Sequence, residues 1–146
     1  MRFSEKDLKN YTLEINVINK CNLNCSSCDH FAPLGNDDCL TPEEIVKQLN
    51  ILTEKLPFLS RIILLGGEPL LNPNLLDICK IIRKNYNDIK IDILTNGILL
   101  KDWKETQYQD FKNLNIHFGI TKYPDIDYSF LPEADNIHYL SSRFLF

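Results

Sequence analysis

Arg61-Ile62-Ile63-Leu64-Leu65-Gly66-Gly67-Glu68-Pro69 joins a short, strongly apolar run to a double glycine. The run is too short for an ordinary helix and shows no polar alternation. It therefore reads as a strand covered on both faces, as strands of parallel sheets are. Glycines directly after it make a turn with no Cβ in the way, where the backbone can approach another group closely. On its own this turn reads as a plain strand-to-helix connection with a solvated glutamate.

The same pairing of strand and helix recurs on both sides. Upstream, residues 12–18 form a strand with Leu13, Ile15 and Val17 alternating, followed by a polar loop rich in cysteine. A helix then starts at Thr41, which serves as N-cap, with Pro42 in the first helical position and Glu44 completing a capping box. Its apolar face is Ile45, Leu49, Leu52 and Leu56, and Pro57 ends it. Downstream, Pro73 opens a second helix whose inner face is Leu75, Ile78, Ile82 and Tyr86. A third strand at residues 89–94 ends in Thr95-Asn96-Gly97. A third helix over residues 100–114 is anchored by Trp103 and Phe111. A fourth strand at 116–120 ends in Thr121-Lys122-Tyr123-Pro124, and residues 137–140 start a fifth.

Such alternation predicts an α/β fold with parallel strands and right-handed crossovers. A partial barrel and an open doubly wound sheet both satisfy it. In either, function gathers at the carboxyl ends of the strands. The cysteine loop, the Gly66-Gly67-Glu68-Pro69 turn, Thr95-Asn96-Gly97 and Thr121-Lys122 all follow strands, so they share one rim.

At 146 residues the chain suits one domain, and its 44% hydrophobic and 25% charged content is that of a globular rather than a disordered protein. There is no low-complexity stretch or internal repeat. The net charge of −4 comes with no basic block, so the footprint of a nucleic-acid binder is missing. The charged stretch from Met1 to Leu8 has no apolar h-region, and Ile62 to Leu65 is far too short to span a bilayer. A cytoplasmic location with reduced thiols is the expectation. Five cysteines, an odd number, argue against a disulfide framework and toward metal or redox chemistry. Cys21, Cys25 and Cys28 lie close together on the loop, whereas Cys39 and Cys79 are scattered. Cys79 sits on the apolar face of the second helix as a small hydrophobe.

Three local thiolates at the spacing Cys21-x3-Cys25-x2-Cys28 suit an iron–sulfur cubane, leaving one iron open to a non-protein ligand. The alternative is a zinc site completed by His30 or Cys39. The cysteine spacing, together with Gly66-Gly67-Glu68-Pro69 about forty residues later, resembles the signature of the radical S-adenosylmethionine (SAM) superfamily. The likeness extends over residues 12–124.

The resemblance implies a partial (β/α) TIM-like barrel, of which about four βα units are clear. It also implies a [4Fe–4S] cluster on Cys21, Cys25 and Cys28, and SAM as second cofactor. Gly66, Gly67 and Glu68 would bind the methionyl amine. Asn96, Thr121 and Lys122 would assist, with Lys122 facing the SAM carboxylate. The reaction implied is reductive cleavage of SAM to a 5′-deoxyadenosyl radical that abstracts hydrogen from an unknown substrate. An electron donor such as a flavodoxin or ferredoxin follows from it.

The family often carries an aromatic residue just before the third cysteine, where this chain has Ser27. Phe31 is a substitute adenine contact or a core residue, and His30 has no settled role. About six βα units are usual in the family, so residues 1–146 are expected to form a C-terminally truncated core. Two readings compete with the active enzyme: a non-catalytic zinc-binding module, and a cluster-binding inactive remnant.

Overall fold

The computed structural model describes residues 11–26, 28–53 and 59–140. Five strands, β1 (Tyr11–Ile18), β2 (Leu59–Gly66), β3 (Lys90–Thr95), β4 (Ile116–Thr121) and β5 (Ile137–Leu140), form one sheet in the order β1-β2-β3-β4-β5. Every adjacent pair is parallel. Three helices connect the first four strands: α1 (Pro42–Thr53), α2 (Leu75–Asn85) and α3 (Glu105–Asn113). A doubly wound sheet reverses its strand order at a switch point. Here the order never reverses, so successive crossovers of one hand put all three helices on one face. The arrangement is that of a partial barrel.

The covered face of the sheet is aliphatic. Val17, Ile62, Leu64, Ile91, Ile93, Ile116, Phe118 and Ile120 are all essentially inaccessible. They form one cluster with Ile45 and Leu49 of α1, Leu75, Ile78 and Ile82 of α2, and Phe111 of α3. Burying each such side chain contributes about 1.5–3 kcal/mol, so this layer holds the strands in register. Cys79 belongs to the cluster, and burial pushes its thiol up to about 12. The opposite face carries Glu14, Asn16, Arg61, Asp92, His117 and His138, in the alternation that the strand period requires.

The capping box at the start of α1 is formed: the Glu44 N–H donates to Thr41 Oγ1 at 3.3 Å, and the Thr41 N–H donates to Glu44 Oε2 at 2.9 Å. Leu56 and Pro57 lie outside the described residues. Two helix predictions differ in detail. The second helix begins at Leu75 rather than Pro73, because residues 69–71 first make a 3-10 turn and Asn72 then binds the backbone of neighbouring segments. Its amide donates to the carbonyls of Val17 and Leu40, and its Oδ1 accepts from the Asn74 N–H. The single helix expected over residues 100–114 is divided into a 3-10 turn, Ile98–Asp102, and α3. Trp103 between them is extended, which lets its ring stack on Phe111 at 5.1 Å and meet Phe118 edge-on at 5.9 Å. Among the described residues, no helix is long and apolar enough to cross a membrane.

Candidate functional site

The four sequence segments meet at the carboxyl end of the sheet, and hydrogen bonds show how. At the end of β2 the chain passes against the segment that leaves β1. The Gly67 N–H donates to the Ile18 carbonyl and the Glu68 N–H to the Lys20 carbonyl, both at 2.9 Å. A Cβ on Gly66 would lie 2.3 Å from the Ile18 oxygen, and one on Gly67 would lie 2.1 Å from the Lys20 oxygen. Gly66 also has φ +152°. The double glycine is therefore required by the close approach of the cysteine loop's first residues, an approach between two parts of the same chain.

Glu68 is completely buried. Its Oε1 accepts from Thr95 Oγ1 at 2.5 Å and from the Leu70 N–H at 3.1 Å, while Oε2 accepts from the Asn96 N–H at 2.9 Å. Burial is the main influence on its carboxyl and raises its pKa, against the lowering effect of these three donors. The carboxylate thus ties the end of β2 to the turn after β3. That turn closes the triangle: Asn96 Nδ2 donates to Asn22 Oδ1, inside the cysteine loop, at 2.7 Å. Thr95 Oγ1 and Asn96 Oδ1 also accept from the N–H groups of Gly97 and Ile98, which shapes the turn itself.

Cys21, Cys25 and Cys28 are all half-buried free thiols on this rim. Burial raises the pKa of the Cys21 thiol, the Leu23 N–H opposes this, and the charges of Glu68, Cys25 and Cys28 add to the rise. The Leu23 N–H lies 3.4 Å from Cys21 Sγ. Among the described residues, no three His, Cys, Asp or Glu side chains converge as one metal ion requires. A cubane cluster is larger, and its ligands stand farther apart. Three half-buried thiols on one short loop are a donor set that suits that larger group.

Beyond β4, Lys122 places its ammonium 3.7 Å from the centre of the Tyr139 ring and 5.7 Å from that of Tyr128. Tyr128 Oη lies 2.9 Å from the Asn96 carbonyl and 3.2 Å from that of Thr121, and accepts from the Tyr123 N–H. Tyr123 in turn reaches back to the loop, with Oη 3.7 Å from Cys25 Sγ. Burial, followed by the Cys25 contact, raises its phenol pKa. Sequence reasoning missed both tyrosines. Their signal was a pair of aromatic residues on a polar connection directly after a rim strand.

Phe31 is not a core residue: it is 69% exposed and in the left-handed conformation, three residues after Cys28. His30 is exposed beside Asp29, 3.7 Å away. Cys39 forms an antiparallel β-bridge with Ile18 and packs against the core. Asp92 was also missed. It is buried on the bare face of the sheet, 2.6 Å from Arg61 Nε and 3.4 Å from Lys90 Nζ. It pairs with Ile63 of β2 and His117 of β4, partway along the sheet and short of the rim at Thr95.

A model of the radical SAM superfamily matches residues 15–128. The GTP 3′,8-cyclase of Clostridium perfringens is 36% identical over 115 residues, which are 75% of this chain and 35% of that protein. The probable GTP 3′,8-cyclase of Methanocaldococcus jannaschii is 34% identical over 130 residues, 80% of this chain and 42% of that protein. The chain thus spans well under half the length of the curated relatives it matches. The structure of BtrN in complex with AdoMet and 2-DOIA superposes with a TM-score of 0.67 at 25% identity, covering 88% of this chain and 55% of that one. SuiB of Streptococcus suis bound to S-adenosylmethionine shares the fold, with a TM-score of 0.58 at 20% identity over 75% of this chain and 24% of that one.

Proposed function

This chain belongs to the radical SAM superfamily, and on that premise we propose that it is the cofactor-handling core of a radical SAM enzyme, with Cys21, Cys25 and Cys28 as ligands of a [4Fe–4S] cluster. When bound, the cluster supplies the electron that cleaves SAM to methionine and a 5′-deoxyadenosyl radical, which takes hydrogen from a substrate. The observation that carries the reading is the triangle of hydrogen bonds joining the cysteine loop, the Gly66–Pro69 turn and the Thr95–Gly97 turn. Three segments far apart in sequence are tied to one another beside three free thiols.

Each motif has its own part. Cys21, Cys25 and Cys28 bind iron as thiolates. Gly66 and Gly67 let the loop close on the sheet, and Glu68 orients the turns on either side, so that the main chain between them faces the amine of SAM. Asn96, Thr121 and Lys122 line the same rim, with Lys122 presented to the SAM carboxylate on its aromatic support. Residues 1–146 act as one core domain, the motifs lying within 12–124, and a small reducing protein such as a flavodoxin or ferredoxin supplies the electron. The relatives share this part yet act on or bind different molecules by name: GTP, 2-DOIA and a precursor peptide. The BtrN and SuiB structures are each named with SAM bound. The function assigned to this chain is therefore SAM cleavage, with the substrate chosen outside the shared motifs.

The test is electron paramagnetic resonance on the anaerobically reconstituted, reduced chain, with and without SAM. A cubane signal that changes when SAM is added is the expected result. Substituting all three rim cysteines by alanine should abolish it. An iron-free protein carrying one tightly held zinc would overturn the reading, and a cluster signal indifferent to SAM would reduce the chain to a cluster-binding remnant.

A further inference from the structure

We propose that Tyr123 is a positioning residue for the thiol site, its phenol holding Cys25 by a hydrogen bond across the rim and thereby setting how readily the bound cluster accepts an electron. The inference rests on the reading of Cys25 as a cluster ligand. Its own support is geometric. Tyr123 Oη lies 3.7 Å from Cys25 Sγ, within hydrogen-bond range of sulfur, although the two residues are 98 positions apart. The contact joins the end of β4 to the middle of the cysteine loop, the one side of the site that the Glu68 and Asn96 bonds do not span.

The tyrosine is held where it stands. Its N–H donates to Tyr128 Oη at 3.3 Å, and its carbonyl accepts from the Ile126 N–H at 3.2 Å. Tyr128 Oη also contacts the carbonyls of Asn96 and Thr121. One buried phenol therefore pins the turn after β3, the end of β4 and the backbone of Tyr123 together. The Tyr123 ring leaves that anchor and ends at sulfur.

Ligation decides the direction of the bond. A free thiol carries a proton and can donate to the phenol oxygen. A thiolate bound to iron has none and can only accept, so the phenol must turn its O–H toward sulfur. A donor aimed at a ligating sulfur stabilises the extra negative charge of the reduced cluster. Hydrogen bonds to the sulfurs are among the levers by which proteins set cluster potential.

The experiment is redox titration, followed by electron paramagnetic resonance, of the reconstituted full chain and of Tyr123→Phe and Tyr123→His. Iron content and the melting temperature of the iron-free form are measured on each. The phenylalanine variant should hold its iron but accept an electron about tenfold less readily, a fall of about 59 mV for a one-electron couple. Histidine, which keeps a ring N–H, should restore part of that fall. If phenylalanine loads no iron on a chain whose iron-free melting is unchanged, the positioning role stands in a stronger form. An unchanged potential in Tyr123→Phe, or a fall that histidine leaves uncorrected, would overturn the proposal while the cluster reading stands. A parent chain that binds no cluster would remove both.

Discussion

Glu68 is buried, and three donors from two turns converge on it. Glu68→Gln preserves its shape but presents an N–H to a site built only of donors. The expected cost is about 1–3 kcal/mol, read from denaturant melts at neutral pH. The pH dependence has a definite sign. Burial raises the carboxyl pKa above its unfolded value, so its contribution is complete below the unfolded value and is lost as pH rises through the folded one. The deficit of Glu68→Gln relative to the parent should therefore shrink as pH rises from about 4.5, the ordinary glutamate value. A deficit that grows over that interval would reverse the assignment. That Glu68 lies on the rim was legible from its place after a buried strand. Its task was not, because Thr95 and Asn96 are 27 and 28 positions away and only the fold brings them to it.

Among the elements, local chemistry was a good guide wherever it had no competitor. The Thr41 and Glu44 capping box needs only its own four residues, and it forms as written. The break at Trp103 was not read, because residues 100–114 suit one loosely patterned helix with Trp103 and Phe111 as anchors, whereas the stacking of Trp103 on Phe111 costs the helix its first turn. The pairing of β4 with β5 carries a further device. His117 Nδ1 and His138 Nε2 stand 3.4 Å apart on stacked rings, beside Asp92, Lys90 and Arg83. Burial and then the Lys90 charge lower the His117 pKa, with Asp92 opposing and His138 and Arg83 adding to the shift. A depressed histidine contributes stability above its unfolded value, near 6.5, that is lost as pH falls through the folded one. Hydrogen exchange at residues 137–140, corrected for intrinsic rates, should quicken between pH 7.5 and 5.5. His117→Phe, which keeps a ring but not its charge, should remove most of the change. Equal exchange in both proteins would discard the idea.

Across the whole molecule, the helices cover one face of the sheet and the thiol site occupies one rim. Among the described residues of the loop between β1 and α1, only Ala32 is buried. Its order depends on its ties to the sheet and on whatever the thiols bind. A group that binds only the folded state at a hundred times its dissociation constant stabilises by about 2.7 kcal/mol, or about 5–10 °C for a chain of this size. Anaerobic reconstitution should raise the melting temperature by that amount, and oxidative removal of iron should reverse it. Limited proteolysis of the iron-free form should cut first within residues 19–40, while the sheet stays intact. Cuts appearing first between β3 and β4 would place the weak point elsewhere. What the sequence determined by itself was short in range: strand and helix periods, caps, turns, and the residues delivered to the carboxyl ends of the strands. Only the tertiary structure decided that the sheet is wound one way rather than two, that Glu68 faces its own chain, and that Tyr123 reaches Cys25. The physical reason is that periodicity reports which face of an element is buried. A hydrogen bond across a hundred residues depends on the register of strands, and no local pattern encodes that.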